Sequence, residues 1–275
     1  MAHDKDIKSV VITGSSKGLG LAMAKVFLEE GCAVAVSSFE KQETEAAAKE
    51  LADQYGSDKV IAYACDVTKY DEVEGLWNAA VDAFGKVDIW ISNAGICSEF
   101  LDIWEVEPAE TSAIINTNIV GTLYGIRVAM NGMQKQGGGA IYNLYGFGSH
   151  DERKPAGFTT YGCTKRAIRY LTECMAEETQ DSPIIVGGLM PGTLITDFIF
   201  KILKSSPKED HDQMVRGFNI SADTPETVAD FLVPEVLKNT TNGAEIAWMT
   251  AEKFQQRMKD PFYLNRNLFA DLDLR

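Results

Sequence analysis

Short apolar runs rich in β-branched side chains alternate with single helical patterns along most of this chain, and that alternation restricts the fold more than any other feature. The runs are SVVIT (9–13), AVAVS (33–37), VIAYAC (60–65), VDIWIS (87–92), AIYNL (140–144), PIIVGGL (183–189) and AEIAWMT (244–250). Helical patterns stand between them. They run from Gly18 to about Glu30, up to about Tyr55, through DEVEGLWNAAVDAF, around 111–135, across the segment carrying Tyr161, and near 225–237. Runs without polar alternation suit strands buried on both faces, and single helices between them suit right-handed crossovers. The expected fold is α/β: a doubly wound, Rossmann-type parallel sheet of about seven strands, one per apolar run, with helices on both faces. Such sheets bind ligands at the carboxyl ends of their strands.

Composition excludes several functions. A formal charge of −14 argues against nucleic-acid binding, which needs clustered Lys and Arg. The opening MAHDKDIKSV lacks the basic start and apolar stretch of a signal peptide, and no apolar run is long enough to span a bilayer. The five cysteines (Cys32, Cys65, Cys97, Cys163, Cys174) are odd in number and widely spaced, which suits reduced thiols rather than a disulfide framework or a metal site. A cytoplasmic protein is expected, with a small-molecule ligand, no nucleic-acid partner, no membrane span and no metal. No Pro/Gly/Ser-rich linker divides the chain, so residues 1–251 read as one domain and 252–275 as a C-terminal extension.

The turn TGSSKGLG (13–20) sits between the first strand and the first helix. Glycines there permit positive φ and let backbone N–H groups approach a pyrophosphate, which the helix N-terminus also attracts. The spacing is G-x-x-x-G-x-G, without the GK[S/T] of a nucleotide-hydrolysing P-loop, so a dinucleotide is the expected ligand. An acidic side chain at the end of strand two would accept from the 2′-hydroxyl of NAD and repel a 2′-phosphate. Neutral Ser37 and Ser38 stand there, with Glu40 two residues on and the cation of Lys17 inside the glycine turn. Lys17 favours a 2′-phosphate and Glu40 opposes one; the balance leans to NADPH/NADP over NADH/NAD.

Six segments in order carry a wider resemblance. TGSSKGLG (13–20), CDVT (65–68), SNAG (92–95), NIVG (118–121), YGCTK (161–165) and PGTLITD (191–197) resemble motifs of the short-chain dehydrogenase/reductase family over roughly residues 8–250. NLYGFGS (143–149), YGCTKRAIRYLTE and PETVADFLVP (225–234) are similar to its chlorophyll b reductase-like branch. The resemblance implies a cofactor cradle of Gly14, Ser16, Lys17, Gly18, Leu19 and Gly20. It implies Ser37 and Ser38 at the ribose, Asp66 and Val67 at the adenine, and Asn93, Ala94 and Gly95 beside the cofactor. Pro191 and Gly192 would turn the chain, placing the Ile195 backbone and Thr196 hydroxyl at the nicotinamide carboxamide or phosphate. A homodimer or homotetramer also follows from the resemblance.

Tyr161 and Lys165 lie one helical turn apart, so both side chains share a face. Tyr55 and Lys59 repeat the spacing, but they fall where a helix ends before strand three. Reducing a carbonyl needs hydride on carbon and a proton on oxygen. A free phenol, with pKa about 10, shuttles protons poorly at neutral pH; a neighbouring ammonium and an oxidised nicotinamide are expected to lower that value by about 1–3. Tyr161 would act as general acid in reduction and base in oxidation. Lys165 would lower its pKa and, by the resemblance, bind the nicotinamide ribose, while Asn118 would hold a relay water. The family's carbonyl-polarising serine commonly precedes the tyrosine by thirteen positions in N-x-S-S, a pattern absent here: Tyr145 and Gly146 stand opposite those serines, and Gly148 falls at that distance. Ser149, one residue away, is preferred as the hydroxyl donor, with Tyr145 as the alternative.

Residues 197–220 have an apolar start and a charged middle, which suits a substrate lid or a plain surface excursion. The extension is aromatic for a tail and would cover the pocket, meet a neighbouring subunit, or simply dock. Phe147, Phe158, Ile195, Phe198, Ile199 and Phe200 flank the expected site. The expected function is an NAD(P)-dependent oxidoreductase, a carbonyl reductase or alcohol dehydrogenase for an apolar substrate. The rival is a cofactor-binding redox sensor or scaffold with lost or altered catalysis.

Overall fold

The computed structural model describes residues 7–150 and 157–269; the chain start (1–6), residues 151–156 and the end of the expected extension (270–275) lie outside the described residues. The first half of the chain contains β1 (Ser9–Thr13), α1 (Gly18–Glu29), β2 (Ala33–Ser38), α2 (Lys41–Tyr55), β3 (Val60–Ala64), α3 (Tyr70–Phe84) and β4 (Ile89–Ser92). Then come α4 (Pro108–Ile115), a π-helical turn (Asn116–Val120), α5 (Gly121–Gln136), β5 (Gly139–Leu144), α6 (Thr159–Glu178) and β6 (Ile184–Met190). The rest comprises β7 (Thr193–Leu194), α7 (Asp197–Ser205), α8 (Lys208–Ser221), β8 (Ala222–Asp223), α9 (Pro225–Lys238), β9 (Glu245–Ala247), α10 (Ala251–Arg257) and α11 (Pro261–Asn265).

Seven strands form one parallel sheet in the order β3-β2-β1-β4-β5-β6-β9. The chain runs outward from β1 to β3 and then crosses back to β4, so the strand order reverses between β1 and β4. Connections leave those two strands in opposite directions, opening a crevice at their carboxyl ends. β1 shows why its run has no polar alternation. Val10 and Ile12 pack with Met23 and Phe27 of α1 and Leu232 of α9, whereas Val11 faces Leu76 and Trp77 of α3 and Met133 of α5. Each face therefore demands an apolar residue, and truncating one such as Phe27 to Ala costs about 3–5 kcal/mol.

The single helix expected around 111–135 is α4, the π turn and α5 in continuous succession. The π turn inserts an i→i+5 step that apolar periodicity does not register. α5 stops at Gly137, whose φ of 93° an L side chain rarely adopts. Residues 197–220 are helical rather than irregular: α7 and α8 leave from β7 and return at β8, and that two-residue parallel ladder closes their base.

The described part of the extension docks on this base. Buried Asp223 accepts from Arg257 (2.7 Å), Arg266 (3.4 Å) and Trp248 Nε1 (2.7 Å), while Tyr263 lies under both guanidiniums. Phe269 is buried against Phe200 of α7 and Phe218 of α8.

Candidate active site

The β1–α1 turn is built as a cradle. Gly14 (φ 64°) and Gly18 (φ 58°) hold left-handed conformations, and a Cβ on Gly20 would stand 2.4 Å from the Gly14 carbonyl oxygen. Asn93 fixes the turn to the end of β4, its Nδ2 donating to the carbonyls of Thr13 (2.8 Å) and Gly14 (2.9 Å). The first-turn N–H groups of α1 have no intrahelical acceptor, and the N-cap, Lys17, makes no side-chain cap. Those donors and the helix dipole face the crevice, where they fit a pyrophosphate.

A Cβ on Gly18 would come no closer than 3.7 Å to Thr196 Cγ2, so space remains between the turn and the chain after β6. The crevice, about 2760 Å³, takes in Gly14, Ser16, Leu19, Ser38, Asp66, Val67, Asn93, Ala94 and Gly95, and further along Pro191, Gly192, Ile195 and Thr196. Asp66 holds its place through two bonds from Thr68; burial raises its carboxyl, but those bonds and Lys69 carry it below the usual value. Lys17 reaches Glu43 (3.7 Å) and Asp197 (4.0 Å), so its cation is shared between two exposed carboxylates.

Two expected cofactor contacts are placed differently. Ser37 is fully buried, with its backbone N–H on Ser15 Oγ (2.9 Å) and its carbonyl on the Ser15 N–H, so it ties β2 to the glycine turn and leaves Ser38 to line the crevice. The Ile195 N–H is spent on the Asp223 carbonyl (3.0 Å), because it extends the β7–β8 ladder at the base of α7 and α8.

At the other end, α6 presents Tyr161 and Lys165 together. Lys165 is buried, its Nζ donating to the Leu144 carbonyl (2.9 Å) and lying 5.7 Å from the Tyr161 ring centre. Burial pushes the Tyr161 phenol above its usual value, and the Cys97 sulfur adds in the same direction. The Lys165 ammonium is pushed down to about 8 by burial. Desolvation is the leading cause at both groups. Among the described residues the Tyr161 hydroxyl has no hydrogen-bond partner, so its proton is available to a ligand.

Asn118 is buried in the π turn. Its Oδ1 accepts from the Ile96 N–H (2.8 Å), and its Nδ2 donates to the Ile96 carbonyl (2.9 Å) and Thr164 Oγ1 (3.0 Å), while its own carbonyl accepts from Thr122 (2.7 Å). It thereby joins the loop after β4 to the helix that carries Tyr161.

The preferred carbonyl-polarising hydroxyl does not face the crevice. Ser149 is fully buried; its Oγ donates to the Lys165 carbonyl (3.1 Å) and accepts from the Gly146 N–H (3.2 Å). The bend at Gly148 (φ 97°), which packs on Gly162, points Ser149 back into α6. Tyr145 is buried, its ring lying along Gly188. Gly146 is the residue beside the Tyr161 phenol: a Cβ on it would stand 2.5 Å from Tyr161 Oη and 3.3 Å from Lys165 Cε.

The family model described as short chain dehydrogenase matches residues 8–205. The chain belongs to the short-chain dehydrogenase family. It is 33% identical over 259 residues to the probable chlorophyll(ide) b reductase NYC1 of Arabidopsis thaliana, covering 88% of this chain and 51% of that one. It is 34% identical over 239 residues to the chlorophyll(ide) b reductase NOL of Oryza sativa subsp. japonica, covering 85% and 68%. The chain therefore spans about half the length of the NYC1 relatives it matches. A solved 7α-hydroxysteroid dehydrogenase, complexed with NADH and 7-oxo glycochenodeoxycholic acid, superposes with TM-score 0.76 at 25% identity over 87% of this chain and 92% of that one. The seven-stranded parallel sheet is thus that of an oxidoreductase with a dinucleotide-binding fold.

In this short-chain dehydrogenase the wall beyond Tyr161 is aromatic. Phe198 of α7 packs edge-on against the Tyr161 ring (5.0 Å between centres), and Phe158 meets both Phe100 (5.4 Å) and Phe147 (5.3 Å). Polar contacts dock α7 on the loop after β4: Lys201 donates to the Cys97 carbonyl (3.1 Å) and pairs with Glu110 (3.3 Å), and Ser205 Oγ accepts from the Phe100 N–H (2.8 Å). Cys97 and Phe100 were not anticipated from sequence; their signal is that they lie within a few residues after SNAG (92–95), the segment that ends beside the crevice. Burial pushes the Cys97 thiol up to about 12, so it stays protonated. Among the described residues no His/Cys/Asp/Glu group suits a metal ion, and no helix is long and apolar enough to cross a membrane.

Proposed function

We propose that this short-chain dehydrogenase is an NAD(P)H-dependent carbonyl reductase for a large apolar substrate, with Tyr161 as proton donor. One observation carries the reading: a phenol without a hydrogen-bond partner among the described residues and a buried ammonium, one turn apart on α6, stand at one end of a crevice whose other end is a glycine cradle. A reduced nicotinamide, when bound, supplies the hydride. Gly14, Gly18, Leu19 and Gly20 would hold the pyrophosphate, Ser38, Asp66 and Val67 the adenosine, and Pro191, Gly192 and Thr196 the nicotinamide end. Tyr161 keeps its proton at neutral pH and gives it to the substrate oxygen. Lys165 stabilises the phenolate left behind, and Asn118 keeps the β4 loop registered on α6. The crevice exceeds the roughly 300–1,000 Å³ of an ordinary ligand pocket, which supports a bulky substrate beside a dinucleotide. The names of the relatives support a polycyclic class, a chlorophyll-like macrocycle or a steroid.

Lys17 supports NADPH, although Glu43 and Asp197 share its charge. The test is a panel of aldehydes and ketones followed by nicotinamide absorbance with each cofactor. Reduction of at least one member, faster with NADPH and lost in Tyr161→Phe, is expected. The position of Ser149, turned away from the crevice, favours a second reading: a nucleotide-responsive scaffold. Nucleotide binding with no turnover across the panel, and no effect of Tyr161→Phe, would favour it.

A further inference from the structure

α6 carries the same clamp twice. Buried Thr164 donates its hydroxyl proton to the Tyr161 carbonyl (2.7 Å) and accepts from Asn118 Nδ2 (3.0 Å). About two helical turns further on, buried Thr172 donates to the Ile168 carbonyl (2.7 Å) and accepts from Asn143 Nδ2 (3.0 Å). A hydroxyl that bonds back to the preceding turn is ordinary helix chemistry, and it often bends the helix there. The two clamps differ in where they act. Thr172 ties α6 to β5, and its bond ends at Ile168, a core residue. Thr164 sits inside the turn between the phenol and the ammonium. The Tyr161 carbonyl it bonds is also the one that the Lys165 N–H meets in an α-helix, so the hydroxyl bears on the geometry separating those two side chains. Asn118 carries the link outward, because its side chain also holds both backbone polar groups of Ile96. A Cβ on the adjoining Gly95 would stand 3.3 Å from Asn118 Oδ1 and 3.8 Å from Lys165 Nζ. The loop after β4, the π turn and the Tyr161–Lys165 turn are thus joined through one hydroxyl.

Resting on the reductase reading above, we infer that Thr164 is a positioning residue for proton transfer: its hydroxyl fixes the Tyr161–Lys165 turn against the π turn and so sets where the phenol stands. Neither Thr164 nor Thr172 lines the crevice, so Thr164 works through Tyr161 rather than by touching a ligand. The physical reason is the steep dependence of a reaction on placement. A displacement of about 1 Å, even from a change away from the chemistry, costs up to about 10²-fold in rate. Thr172 makes the same bonds to an element that carries neither Tyr161 nor Lys165, and losing it costs stability without moving the phenol.

Two measurements on the full chain test the inference. The first compares Thr164→Val, Thr164→Ser and Thr172→Val on a carbonyl that the native protein reduces. Valine puts a methyl in place of the hydroxyl, serine keeps the hydroxyl, and Thr172→Val controls for lost stability. The kcat of Thr164→Val should lie at least about tenfold below that of the native protein and of both companions, with the Kd for NADPH changed less than about threefold. A smaller gap to any of the three overturns the inference and leaves the reductase reading intact; a larger change in Kd assigns Thr164 to cofactor binding and overturns it as well. Should Thr164→Val not fold, Thr164→Ala removes the same hydroxyl and takes its place. The second measurement needs no turnover. It follows the ¹³Cζ resonance of Tyr161 in tyrosine-labelled protein, identified by its loss in Tyr161→Phe. The resonance should move in Thr164→Val and return in Thr164→Ser; a resonance unmoved in Thr164→Val overturns the inference. A native protein that reduces no carbonyl of the panel overturns the reductase reading instead, and the resonance then decides whether Thr164 sets the phenol.

Discussion

Tyr161 Oη and Gly146 Cα are packed so closely that a β-carbon on residue 146 would stand 2.5 Å from the phenol oxygen. The Tyr161 hydroxyl therefore occupies space that any side chain at residue 146 would need. Gly146→Ala must push the phenol or the β5–α6 segment aside, an overpacking worth about 1–3 kcal/mol. We expect kcat/KM to fall by more than about tenfold while the Kd for NADPH, read by fluorescence titration, changes by less than about threefold.

Lys165 makes both stability and rate depend on pH. Burial lowers its ammonium from 10.5 to about 8, so the charged form is the disfavoured one in the fold. Below pH 8 the side chain is charged folded and unfolded, and the penalty acts in full. Between about 8 and 10.5 the unfolded chain binds the extra proton, and stability rises with pH. Lys165→Met should gain on the order of 1–2 kcal/mol at pH 7, allowing for the lost bond to the Leu144 carbonyl, and lose that advantage near pH 10. Urea unfolding at the two pH values checks this. The reduction rate should fall as pH passes about 8, because the phenolate then loses its neighbouring cation.

Lys17→Ala probes the ribose end. If the cation meets a 2′-phosphate, the Kd for NADPH rises about tenfold or more and that for NADH changes by less than about threefold. Equal changes for both cofactors would assign Lys17 to its bridges with Glu43 and Asp197 instead.

Asp223 holds the extension on the base of α7 and α8. Asp223→Ala leaves the buried Arg257 guanidinium without its carboxylate, a loss of about 3–5 kcal/mol, which the denaturant midpoint measures. Asp223→Glu should lose less.

The order of elements was legible because parallel strands buried on both faces leave uninterrupted apolar runs; β1 falls at Ser9–Thr13, where SVVIT stands. The π turn at Asn116–Val120 was not legible, because an extra residue in one turn leaves the apolar pattern intact. At the site, spacing located the Tyr161–Lys165 pair, since a helix converts four positions into one face. Spacing pointed to Ser149, and the end of strand two to Ser37, but both side chains are buried away from the crevice. Counting residues does not give the direction of a side chain after a glycine bend, nor which of two adjacent strand residues points inward. The contacts of α7 on Cys97 and Phe100 join residues about a hundred positions apart (|i−j| of 104 and 105), which no local pattern encodes.

The most direct measurement compares the native protein with Tyr161→Phe on a carbonyl that the native protein reduces. It reads kcat/KM in the stopped-flow and, separately, the Kd for NADPH. A loss of at least about 10²-fold in kcat/KM with Kd unchanged within about twofold is predicted for a residue that gives up the proton. Retention of activity within about tenfold, with the fold intact, would contradict the account.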